Sequence, residues 1–179
     1  ERAKVAAETA AKFAVKLVVV RSDGAALPAG ADRWEEVLPL GSALPDIDVQ
    51  ADWDATILYT SGTTGFPKGA VSTHRGICSA LSAFAVGAVI SAARFPKEAE
   101  ENAKTPTSFI LIVPLFHVTG CVPVMMSCFA AGYKLVMMYK WSAERALELI
   151  ERERVTRFVG VPTQSWDMLE SPDFPTRDT

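Results

Sequence analysis

Tyr59 to Gly69 reads YTSGTTGFPKG and follows the apolar run Ala55-Thr56-Ile57-Leu58. Eleven residues hold four aliphatic hydroxyls, three glycines and one lysine, far more polar and flexible backbone than a tight turn requires. A loop of this composition offers an anion the backbone N–H groups near Gly62, Gly65 and Gly69. It adds the hydroxyls of Thr60, Ser61, Thr63 and Thr64 and the ammonium of Lys68. Polyphosphate suits such a donor set. The stretch departs from the nucleotide loop G-x-x-x-x-G-K-[ST]: Pro67 precedes the lysine, glycine follows it, and the continuation GAVSTH alternates as a strand does. Phosphates are therefore expected between two strands, away from a helix dipole. The competing reading is a mobile Gly/Ser/Thr linker. The preceding strand, the ring-fixed Pro67 and the adjacent Lys68 favour an ordered loop that folds over its ligand.

Working outward, strand and helix signals alternate. Residues 3–14 read as a helix, and Val15 to Val20, VKLVVV, has the β-branched density of a buried strand. Residues 24–30 and 41–48 are loop-like, with a short helix around 33–38. Further strands are expected at 55–59, after Lys68, at 109–113, 133–139 and 155–161. Helices are expected at 77–93, at 142–153 with Ser142 and Glu144 at its positive end, and at 162–170, opened by Pro162. Pro96 to Lys104 reads as a charged surface excursion. Helices of ten or more residues between strands predict an α/β fold with a mostly parallel sheet covered by helices on both faces.

The 179 residues suit one domain with a core of ordinary size, and the net charge of -3 with pI near 5.4 supplies no basic field for nucleic acid. Cys78, Cys121 and Cys128 lie in apolar surroundings without metal-ligand spacing, and they read as reduced, buried thiols of a cytoplasmic protein. The hydrophobic share of 49% raises the question of membrane spans. Phe109 to Gly132 is interrupted by Pro114, His117, Thr119, Gly120 and Pro123, so it reads as a buried strand, a turn and a buried helix. Ile77 to Ala93 is apolar nearly all round, as in a helix enclosed by a larger protein, and no transmembrane segment is expected. The opening ERAKVAAETAAKFAVKL has no signal-peptide character and no initiator Met, so the chain is expected to begin inside a longer protein.

YTSGTTGFPKG resembles the phosphate-loop signature of the adenylate-forming superfamily, which includes acyl-CoA and aryl-CoA ligases, luciferases and peptide-synthetase adenylation domains. VPLFHVTG at 113–120 is similar to the second core motif of the CoA-ligase branch, and VGVPT at 159–163 to a strand that approaches the substrate pocket. The resemblance implies that ATP activates a carboxylic acid to an acyl adenylate, with pyrophosphate released, and that the acyl group then passes to CoA. A fatty or other apolar acid is expected, with magnesium as cofactor and CoA as co-substrate. An acyl-AMP ligase, another adenylating relative, or a noncatalytic nucleotide-binding or interaction module are the alternatives. The family's adenine-contacting glycines, ribose-binding Asp, hinge and C-terminal lysine have no counterpart in residues 1–179. The chain is thus expected to be an internal, by itself inactive fragment of the large N-terminal domain, with open apolar faces that promote self-association.

By the same resemblance, Lys68 orients the outer phosphates and neutralises departing pyrophosphate. Thr60, Ser61, Gly62, Thr63, Thr64 and Gly65 share the grip, and Thr64 is the residue expected to meet magnesium. His117 is assigned a positioning role on the path to the reacting carboxylate and α-phosphate, against the plainer reading of a satisfied core histidine. Phe116, Val118, Gly120, Cys121 and Thr163 are expected to wall the acyl pocket, with core packing as the alternative. His74 is assigned to the strand-to-helix turn. The implied organisation is a leading α/β segment at 1–53, the phosphate loop and following helix at 54–94, the excursion at 95–106, and a β-α-β-α-β-α segment at 107–179 that lines the pocket.

Overall fold

A computed structural model describes residues 2–43, 45–62 and 65–179, in an α/β arrangement. The chain divides into two compact units, Glu1–Asp48 and Val49–Thr179. In the first, helix α1 (Arg2–Lys12) precedes strand β1 (Leu17–Val19), which pairs in parallel with β2 (Ala31–Arg33), and helix α2 (Trp34–Val37) follows at once. The strand expected at 15–20 is shorter and only half-buried, with Val15 and Val20 exposed, because among the described residues β2 is its one ladder partner. Lys16 and Asp32 pair across the two strands at 3.0 Å.

The second unit opens with a hairpin of β3 (Asp54–Thr60) and β4 (Lys68–Thr73), antiparallel and in register from Ile57↔Val71 to Thr60↔Lys68. Helix α3 (His74–Arg94) starts directly after it. Its N-cap is Thr73, whose hydroxyl accepts from the Gly76 N–H at 3.2 Å. His74 contributes to this turn through its backbone N–H, donated to the Trp53 carbonyl at 3.1 Å, beside the Thr73 cap. Arg75 grips Asp52 with two bonds of 2.7 and 2.9 Å, which holds the Asp52 carboxyl below its ordinary range.

Helix α4 (Pro96–Ala103) is the charged excursion, exposed and helical. Beyond it lies a three-stranded parallel sheet of β5 (Ser108–Leu111), β6 (Lys134–Met137) and β7 (Arg157–Val159), in the order β6-β5-β7. The segment Phe109 to Gly132 is broken as its prolines and polar residues suggest: β5, a turn, then a π-helix, π1 (Gly120–Met126), continuing into α5 (Ser127–Ala131). Pro123 has no N–H to donate and its ring crowds the carbonyl one turn back, and the wider π winding accommodates it, with the Ser127 N–H reaching the Val122 carbonyl five residues back.

Helices cover both faces of this sheet. Ile110, Val136 and Phe158 meet Ala146, Leu149 and Ile150 of α6 (Ala143–Glu153) and Met168 of α7 (Pro162–Glu170). Phe109, on the opposite face by strand alternation, lines a cavity of about 410 Å³ with Pro123 and Ser127 of π1–α5 and Leu81 of α3. The core stripe of α6 is Ala143, Ala146, Leu147 and Leu149, and its N-cap is Ser142, as expected.

Two expectations change. Helix α3 is not enclosed: His74, Ile77, Ala80 and Leu81 form one half-buried stripe toward the hairpin and π1, and no residue of the helix is fully buried. By length and composition it is apolar enough to cross a membrane. Cys78 shares the exposed side of that helix, whereas Cys121 and Cys128 are buried, and burial pushes the Cys128 thiol up.

Candidate functional site

Two places on the second unit gather the residues singled out by sequence. The first is the hairpin tip. Pairing of Thr60 with Lys68 closes a loop of residues 61–67, and the Thr60 hydroxyl donates to the Lys68 carbonyl at 3.4 Å. Directly opposed residues of an antiparallel pair share a face, so Thr60 and Lys68 project to the same side. Gly62 and Gly65 adopt the left-handed conformation, φ +66° and +88°. At Gly62 a Cβ would stand 2.1 Å from the Phe66 carbonyl oxygen, so the turn back toward Pro67 excludes any side chain there. Ser61, Gly65, Phe66, Pro67 and Lys68 are exposed and accessible to a ligand. Thr63 and Thr64, and with them the magnesium role given to Thr64, lie outside the described residues. Gly69 stands opposite Tyr59, and a Cβ there would lie 2.8 Å from Ile57 Cγ2, so its smallness also serves cross-strand packing.

The second place is the carboxyl edge of the parallel sheet. After β5 the chain passes to π1–α5 on one face, and after β7 it passes to α7 on the face that α6 occupies. Neighbouring strands whose connections leave to opposite faces open a crevice at their carboxyl ends, where open α/β sheets hold ligands. The turn after β5 carries His117, and the start of α7 carries Thr163. His117 is not a core histidine: it is exposed, and its Nδ1 accepts from the Thr119 N–H at 3.2 Å. With Nδ1 accepting, a neutral imidazole carries its proton on Nε2, which can then act as a donor. Its backbone is equally committed, with its N–H on the Pro114 carbonyl and its own carbonyl accepting from Gly120 and Cys121.

The expected wall residues separate into two groups. Phe116, 79% exposed, Val118 and Thr163 stand at the surface of this edge. Gly120 and Cys121 are buried beneath it, where a Cβ on Gly120 would come within 2.6 Å of both the Val113 and Pro114 carbonyl oxygens. Gly120 therefore lets the helix start close under the turn, a packing role.

No hydrogen bond among the described residues joins the hairpin loop to the His117 turn. Their link is α3, which packs on β3, β4 and π1. Among the described residues no three His, Cys, Asp or Glu side chains converge as a metal cage. Magnesium asks for less, since it is commonly held by substrate phosphates with one or two protein oxygens.

Gln164 was not anticipated. Its Oε1 accepts from the Val161 N–H at 3.0 Å, and its Nε2 reaches the Ile112 carbonyl at 3.5 Å. The available signal was its spacing: Pro162 marks the first helical position, which puts Gln164 at the third, where a capping glutamine reaches back.

The family model described as AMP-binding enzyme matches residues 1–179. The chain is 34% identical over 175 residues to 4-coumarate–CoA ligase-like 5 of Oryza sativa subsp. japonica, covering 97% of this chain and 31% of that protein. It superposes on the inhibitor-bound N-terminal domain of FACL13 from Mycobacterium tuberculosis with TM-score 0.67 and 25% identity, over 98% of this chain and 45% of that one. O-succinylbenzoate coenzyme A synthetase of Bacillus subtilis, in complex with ATP and magnesium ion, matches with TM-score 0.56 and 26% identity, over 80% of this chain and 28% of that one. The chain thus spans less than a third of the ligase-like protein. With the glycine-turned hairpin loop and the His117 edge on one unit, and the whole chain matched, it belongs to the AMP-binding enzyme family of adenylate-forming acyl-CoA ligases.

Proposed function

We propose that this chain is the phosphate-loop portion of an AMP-forming acid–CoA ligase. A carboxylate oxygen of an apolar acid attacks the α-phosphorus of ATP, the bond to the pyrophosphate oxygen breaks, and the acyl adenylate forms. A CoA thiol then loses its proton and attacks the acyl carbon, with AMP as leaving group. Lys68 and the donors of Thr60, Ser61, Gly62 and Gly65 hold the outer phosphates, the part of the substrate where charge accumulates as pyrophosphate leaves. Magnesium, when bound, neutralises phosphate charge, and Thr64 is the residue assigned to meet it. His117, ring fixed by Thr119, presents Nε2–H to the oxygens of the reacting carboxylate or α-phosphate. Phe116, Val118 and Thr163 face the acyl group.

The observation that carries this reading is the hairpin loop, with Thr60 and Lys68 on one face and left-handed turns at Gly62 and Gly65, in a chain that the AMP-binding enzyme family model matches from residue 1 to 179. Relatives at 34% and 26% identity are named for different acids, coumarate and O-succinylbenzoate, so no single acid is assigned beyond the fatty or other apolar carboxylic acid expected from the sequence. The 179 residues alone are proposed to form no adenylate. The test is acid-dependent exchange of labelled pyrophosphate into ATP by the full protein, across aromatic, medium-chain and long-chain acids. Exchange with at least one acid is expected, and nucleotide binding without exchange for any acid would make it a noncatalytic module.

A further inference from the structure

The β5–β7 ladder ends where Leu111 stands opposite Val159. Just beyond, the Ile112 carbonyl and the Val161 N–H are both taken by one side-chain amide, that of Gln164, which accepts at 3.0 Å and donates at 3.5 Å. The amide fills the place of a further peptide rung where the two strands begin to part. Room for it comes from Gly160, where a Cβ would lie 2.8 Å from Gln164 Oε1 and 2.9 Å from Ile112 Cδ1. Half of this arrangement is an ordinary helix cap: the glutamine oxygen takes the Val161 N–H, although Val161 has no side-chain oxygen to complete a reciprocal box. The other half has no part in capping. Nε2 turns away from α7 and reaches a different strand, the one that runs into the His117 turn.

We propose that Gln164 is a positioning residue for adenylation: by bridging the carboxyl ends of β5 and β7 it sets the spacing between the turn carrying Phe116 and His117 and the segment carrying Thr163. This rests on the ligase reading above. The bridge acts on the acid side of the site and leaves the phosphate loop, on a separate hairpin, alone. Misplacement of a reacting group by an ångström slows a reaction by about a hundredfold.

Gln164→Glu separates the two halves, because a carboxylate still caps the Val161 N–H but has no proton to give the Ile112 carbonyl. In the full protein, kcat and KM for ATP would be measured by acid-dependent pyrophosphate exchange, beside the melting temperature. The expected result is a fall in kcat of about ten- to a hundredfold, with KM for ATP and melting temperature unchanged. Gly160→Ala, whose methyl displaces the amide, should lower kcat likewise. Wild-type kcat in Gln164→Glu would overturn the proposal and leave a helix cap. So would a raised KM for ATP at wild-type kcat, which assigns the effect to the added charge. Should Gln164→Glu not fold, Gly160→Ala decides alone, and wild-type kcat there overturns the bridge. No exchange by the wild-type protein overturns the ligase reading together with this proposal, whereas exchange indifferent to Gln164 overturns this proposal only.

Discussion

The β6-β5-β7 sheet and the β3–β4 hairpin use the same kinds of residue to opposite ends. Ile110 of the sheet is fully buried, while Ile57 and Val71, paired across the hairpin, remain 55% and 53% exposed. The sheet has α6 and α7 on one face and π1–α5 on the other, and among the described residues α3 is the main element packed against the hairpin. A strand covered on both faces is committed to packing and its side chains are fixed by their neighbours. A hairpin held mainly by its own ladder leaves Ser61 and residues 65–68 to solvent, which suits the polyphosphate role proposed for this loop.

If that contrast is right, Ile110→Ala should be the most damaging of the changes considered, lowering unfolding free energy by about 2–5 kcal/mol in denaturant titrations through lost contact and an unfilled cavity. A loss under 1 kcal/mol would mean the sheet is not the stability centre. Lys68→Ala should do the reverse, leaving the melting temperature in place and slowing adenylate formation by roughly a hundredfold, or about 3 kcal/mol of transition-state stabilisation. Thiol transfer from a supplied acyl adenylate has no pyrophosphate to hold and should change little. An equal fall in both half-reactions at unchanged stability would remove Lys68 from the phosphate site. Val71→Thr, a β-branched replacement on the exposed hairpin, should alter stability by no more than about 0.5 kcal/mol. A cost comparable to that of Ile110→Ala would erase the distinction between the two regions.

The smallest effect concerns pH. The Arg177 guanidinium, bonded to Glu151 at 2.8 Å, and the Asp178 N–H hold the Glu151 carboxyl below its ordinary value. A depressed carboxylate contributes stability that is present above its unfolded pKa, about 4.3, and is lost as pH falls through its folded pKa. Wild type and Glu151→Gln should therefore differ slightly in melting temperature at neutral pH and converge in acid. A difference that persists below the acid transition would point to packing instead of charge. The pair is half-exposed, so screening by salt should shrink the difference further.

The glycine-turned loop was legible because its signals are local: glycines for the left-handed turns at 62 and 65, with hydroxyls and a lysine suited to an anion, within eleven consecutive residues. Helix α6 was equally plain, since its apolar stripe and its Ser142 cap both lie within one segment. The π-helix at Gly120–Met126 was not, because Pro123 announces an irregularity without saying whether the chain will kink, break or widen. The exposure of α3 was misjudged for a related reason. An all-round apolar helix states a need for cover, and nothing in its own residues tells which neighbours supply it.

Local spacing and residue type were thus sufficient for the alternation of strands and helices, for proposing an anion-binding loop at residues 60–69 and for the resemblance that led to the family. Which strands neighbour one another is a property of long-range pairing, and only the folded chain decided it. The order β6-β5-β7 brings the ends of β5 and β7 side by side, puts the His117 turn next to the start of α7, and lets Gln164 meet a carbonyl 52 positions away. Periodicity along a sequence reports the face a residue presents, and the partner waiting at that face is chosen by the packing of the whole.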